Sequence, residues 1–217
     1  MLIQPWDAAR DEDEWRSWLR TRDFGQIAVN GVDGAPPVVV PTHFLFDGEE
    51  IVLHLARPNP IWAALEANPV AVVSVHDDYA YIPTGWRSDS PVTGVATSYY
   101  ASVQLACRAE IVDGKEDKAA ILRRQLAHHQ PDGDYGLMAA DEGPYHKMLS
   151  ALRGLRLRVV DVRAKFKFDD HKPVELRDRV AVGLAVRGLP RDAGALAQQR
   201  RRMESVRAET AGQDGQG

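Results

Sequence analysis

Seven histidines, a lysine-aromatic run and a single cysteine hold most of this chain's capacity for chemistry. One cysteine makes neither an internal disulfide nor a cysteine-rich zinc or iron-sulfur site, so histidine and carboxylate are the metal ligands to consider. His43 and His54 fall inside VVVPTHFLF and IVLHLA, two runs that read as adjacent strands. His54 shares a face with Val52 and Ala56 and so belongs to a wall, as a hydrogen-bonded core histidine or as a ligand. Arg57, just before PNP and a helix start, offers a guanidinium to phosphate or propionate, with a surface ion pair as the alternative. In RAKFKFDDHKP, Lys165 and Lys167 project to one side and Phe166 and Phe168 to the other. His171 follows Asp170, whose carboxylate can orient an imidazole and raise its basicity. A solvated strand end accounts for the same run. Thr97, Ser98, Tyr100 and Gln104 form a third, polar strand face. His128 and His129, adjacent on a helix, point about 100 degrees apart, so a shared metal is not expected. His76 and His146 read as turn and surface residues, and Cys107 as packing.

The elements that position these groups follow from periodicity. Residues 11 to 19 read as a helix with Trp15, Trp18 and Leu19 at helical spacing. From Gln26 the period becomes two, through QIAVN, VVVPTHFLF, the tight DGEE turn, IVLHLA and VAVVSV. PNPIWAALEANP is a two-turn helix with Asn59 as its cap and Asn68-Pro69 as its stop. Ser98 to Val112 alternates most clearly, with Tyr99, Ala101, Val103, Leu105, Cys107, Ala109 and Ile111 on the apolar face. KEDKAAILRRQLAHH is an amphipathic helix, PYHKMLSAL a shorter one, GLRLRVVDVRAKFKF a long last strand, and residues 173 to 187 a last helix. Hairpins with helices inserted late predict an α+β, mainly β fold: an antiparallel barrel rather than a parallel βαβ sheet. The expected organisation is one domain over residues 1–188 and a weakly structured helical tail over 189–217.

Composition narrows the function. With 217 residues, 44% of them apolar, the chain fills one core. A net charge of -4 disfavours coating of nucleic acid, and Arg200 to Arg202 read as the solvated face of a tail helix. The acidic start and the lack of a long apolar run predict a cytoplasmic protein without a membrane partner. GxGxxG, phosphate-loop, GxSxG and HExxH patterns do not occur.

The order of segments carries a family likeness. THFLFDGEEIVLHLARPNPIW, DDYAYIPTGW, TSYYASVQLACRAEIVD and MLSALRGLRLRVVDVRAKFKF resemble the PaiB-like FMN-binding split-barrel family over roughly residues 20 to 187. That likeness implies a homodimer with its cofactor at the interface. The chain departs from the family where Ser98-Tyr99 replaces a tryptophan-asparagine pair, Gln104 a histidine, and Asp169-Asp170-His171-Lys172 an SQNR segment. With LRRQLAHHQP, these departures resemble the piperazate synthase branch, haem enzymes that cyclise N-hydroxylated ornithine to piperazic acid through a nitrogen-nitrogen bond. The resemblance implies haem b, with His54 or His171 as the iron ligand. Arg57, Lys165 and Lys167 would pair with propionates, and Ser98, Tyr100 and Gln104 would line the wall. Lys165 or Tyr100 would accept the α-amine proton. The alternatives are an FMN-binding regulator of the PaiB type and an FMN-dependent oxidoreductase.

Overall fold

Alternating burial writes most of the sheet. The computed structural model describes residues 1–88 and 94–214, with side chains to residue 204. In chain order the elements are α1 (Glu12–Arg20), β1 (Phe24–Val29), β2 (Val38–His43), β3 (Leu45–Phe46), β4 (Glu50–Ala56), α2 (Ile61–Ala67), β5 (Val70–Ile82) and β6 (Thr97–Val112). Then follow α3 (Lys115–His129), β7 (Leu152–Lys167), α4 (Val174–Arg187) and α5 (Asp192–Asp214). The strands form one antiparallel sheet in the order β2-β1-β5-β6-β7-β4-β3, the α+β architecture predicted from the hairpin pattern.

Local chemistry sets the turns. Asp47 accepts backbone hydrogen bonds from Glu49 and Glu50, both 3.0 Å, and Gly48 takes the positive φ of 111° that closes the β3–β4 hairpin. Asn59 Oδ1 accepts the Ile61 N–H at 3.1 Å, starting α2 where the cap was expected. Alternation in β6 runs from Tyr99 to Cys107 and then breaks. Val112 is buried against Val52 and Ile121, while Ala109 and Ile111 are only half-buried. The short helix expected in PYHKMLSAL is a 3-10 segment, His146–Ala151.

The chain forms two compact units. One comprises Met1–Asp11, His76–Ser102 and Ala164–Gly217; the other comprises Glu12–Val75 and Val103–Arg163. Within the first, the predicted loose tail needs correction as far as Met203, because Ala195, Gln199, Arg202 and Met203 are buried. Arg202 donates to Asp170 at 2.5 Å and Arg177 donates to the same carboxylate at 2.9 Å. Hydrophobicity misses such anchorage because it is ionic. Arg202 is therefore not part of a solvated basic face. Among the described residues no helix is long and apolar enough to cross a membrane.

Candidate functional site

Three histidines from three elements meet in the second unit. His43 ends β2, His54 lies within β4 and His129 ends α3. Ring centroids are 5.3 Å apart for His43 and His54, and 5.4 Å for His43 and His129. These rings, with Asp23, Gln125 and a mostly apolar surround including Phe24, Leu126, Met138 and Met148, line a cavity of about 520 Å³. The expected adjacency of their strands is corrected. β2 pairs with β1, and β4 lies between β7 and β3, so the imidazoles meet across a cavity instead of along a ladder.

One helix supplies the opposite wall. Leu122, Gln125, Leu126 and His129 follow the i, i+3, i+4, i+7 spacing of a single helical face, and all four line the cavity. His54 Nδ1 lies 2.7 Å from Gln125 Oε1. An amide oxygen only accepts, so Nδ1 donates in this contact, and the tautomer that fits it has its lone pair on Nε2. The amide nitrogen of Gln125 is buried and has no hydrogen-bond partner. Partial burial pushes the His43 pKa below its usual value, and the neighbouring His54 and His129 push the same way. His43 is therefore neutral at pH 7. Asp23 faces His129 Nδ1 at 3.3 Å. Among the described lining residues there is no lysine or arginine.

The residues singled out from sequence divide between the two units. His54 lines the cavity. Arg57, in the same unit, donates to the Ser150 carbonyl at 2.9 Å and to Asp113 at 3.2 Å, an ion-paired position. Gln104 is half-buried in β6 and does not line the cavity. In the other unit, Lys165 donates to the Leu2 carbonyl at 2.9 Å and sits 3.6 Å from Asp7. Lys167 donates to Thr97 Oγ1 at 2.9 Å. Both ammonium groups lie over the Tyr100 ring, at 5.6 and 5.9 Å from its centroid. Burial raises the Asp7 carboxyl above the usual range, against the pull of Lys165 and Lys167. Ser98 is half-buried, and His171 is exposed with its ring 4.6 Å from that of Trp6. The aspartates before His171 hold arginines: Asp169 takes a two-pronged contact from Arg87 at 2.9 and 3.1 Å, and Asp170 binds Arg177 and Arg202.

Sequence reasoning named His43 and His129 without making either a ligand candidate, and it passed over Gln125. A signal existed for the last two, since Gln125 and His129 interrupt the apolar stripe of Leu122 and Leu126 at helical spacing. For His43 no local pattern marks the pairing with His54.

Residues 1–161 match the family described as "Putative FMN-binding domain". The chain belongs to this FMN-binding-domain family. No curated protein matches it. Among solved structures, this family member is similar to the flavocytochrome Anf3 of Azotobacter vinelandii, at 21% identity and a TM-score of 0.60, covering 76% of this chain and 72% of that one. It is also similar to an FAD and haem binding protein of Mycobacterium smegmatis, at 20% identity and a TM-score of 0.61, covering 82% and 80%. A conserved hypothetical protein of Mycobacterium tuberculosis gives 18% and 0.54 over 80% and 94%. At such identities the likeness establishes the fold, an antiparallel split β-barrel with inserted helices.

Proposed function

We propose that the chain is a haem-dependent piperazate synthase working as a homodimer, with the cavity of His43 and His54 as its cofactor pocket. The observation that carries this reading is the orientation of His54. A histidine that ligates porphyrin iron does so through one ring nitrogen while the other is hydrogen-bonded to a partner that orients the ring. His54, tied through Nδ1 to Gln125 Oε1, fits that arrangement. The cavity volume lies within the roughly 300–1,000 Å³ of small-molecule and cofactor sites, and its wall is mostly apolar.

When bound, ferric haem supplies a Lewis acid for the hydroxylamine oxygen of N-hydroxylated ornithine. The nitrogen-oxygen bond breaks, the α-amine nitrogen bonds to the terminal nitrogen, and one water leaves, with no net redox change. The chain's own residues set the conditions. The apolar wall excludes bulk water and holds the flexible substrate folded for ring closure. His43, kept neutral, accepts the proton released by the α-amine.

Family membership favours a second reading, an FMN-binding protein. The lack of lysine and arginine among the described lining residues leaves a flavin phosphate and haem propionates alike without a cationic partner from this cavity, and so favours neither reading. The visible spectrum of the purified chain decides between them. A Soret band that disappears in His54→Ala, together with conversion of N-hydroxyornithine to a product lighter by one water, supports the haem reading. Flavin absorbance with no Soret band overturns it.

A further inference from the structure

We propose that Asp23, His128 and His129 form a binding site for a divalent transition-metal ion of the zinc class, two of whose ligands, Asp23 and His129, also line the cavity. Neighbouring positions on a helix are normally splayed by about 100 degrees, which argues against two adjacent histidines sharing an ion. At the end of α3 the two rings turn toward one another instead, with centroids 4.9 Å apart and planes at 77°. Asp23, immediately before β1, closes the triangle, and one ligand atom from each of the three residues lies within 4.8 Å of the others.

The geometry is close to a metal's. Tetrahedral bonds of about 2.0–2.1 Å place neighbouring ligand atoms about 3.3 Å apart. His129 Nδ1 and Asp23 Oδ2 already stand at 3.3 Å. His128 has to close at most about 1.5 Å, the difference between the 4.8 Å limit and that edge, and its side chain is exposed. The field helps as well. The three groups cluster at the C-terminal end of a 15-residue helix, whose dipole is negative there and favours a cation. Two imidazoles and a carboxylate select zinc, nickel, cobalt or copper over magnesium or calcium. Three protein ligands leave a fourth position for water or a substrate oxygen.

The competing explanation is a solvated Asp23–His129 ion pair beside an idle His128. Calorimetric titration of tag-free, EDTA-treated chain with zinc chloride separates the two, with circular dichroism as the check on folding. One zinc per chain is expected, with affinity unaffected by magnesium. His128→Ala and Asp23→Asn should each weaken it by at least about tenfold, since even outer-shell losses cost that much. His146→Ala, at a half-buried histidine that bonds the Gly143 carbonyl, should leave it unchanged. The proposal is overturned by absence of saturable uptake, by wild-type affinity in both variants, or by loss in His54→Ala while His128→Ala binds normally. None of these outcomes bears on the Soret band, so this site and the haem reading fail separately.

Discussion

His54 on β4 and Gln125 on α3 meet at 2.7 Å, Nδ1 to Oε1, and with the amide oxygen accepting, Nδ1 is the donor in that contact. Replacing Gln125 with Leu removes the acceptor and frees the ring to change tautomer. If the cavity holds haem as proposed, its affinity, read by spectral titration of cofactor-free chain, should fall by about 10–100-fold. Gln125→Glu should keep the affinity and lower the iron midpoint potential, because a carboxylate makes the imidazole a stronger donor. Unchanged affinity in Gln125→Leu would show that His54 needs no orienting partner.

Cys107 is 1% exposed, and burial pushes its thiol pKa up to about 12. The native chain should resist alkylation by iodoacetamide at mildly alkaline pH and become labelled once in urea. Rapid labelling of folded chain, followed by mass spectrometry, would contradict the packing role assigned to it.

Lys165 and Asp7 form a buried pair, with side chains 11% and 5% exposed. Lys165→Met leaves the carboxylate unpaired and should cost about 3 kcal/mol in chemical denaturation near neutral pH. The pH dependence has a definite sign. Burial already holds the Asp7 carboxyl above 3.8, so the folded state retains a proton that the unfolded state releases, and stability falls as pH rises through that interval. Without Lys165 the carboxyl moves higher still. The variant's deficit should therefore be larger at about pH 7 than at about pH 4.5, and a deficit that ignores pH would reject the pairing.

Asp170 anchors Arg177 and Arg202, both 2% exposed, at 2.9 and 2.5 Å. Asp170→Asn leaves two buried guanidinium groups without their counter-charge and should destabilise the chain by about 3 kcal/mol. Limited proteolysis should then cut within α5 sooner than in wild type. Equal protection in the variant would mean that α5 is held by its apolar contacts alone.

The β-hairpins, the Asp47 turn, the Asn59 cap and the boundaries of α3 could all be read along the chain, because each depends on neighbours within a few residues. Periods of two and of 3.6 are local consequences of backbone geometry. His54 was legible as a wall residue for the same reason.

The chain's residue order alone tells which residues alternate, where the backbone turns, and that histidine and carboxylate are the groups available to a metal. Only the tertiary structure decided that His43 and Gln125 flank His54, and that the run containing Lys165, Asp169 and Asp170 is spent largely on buried ion pairs. These are contacts between residues as many as 158 positions apart, the separation of Asp7 and Lys165. Charge pairing over such distances leaves no periodic trace, since an aspartate that binds a buried arginine and one that meets water are spelled alike.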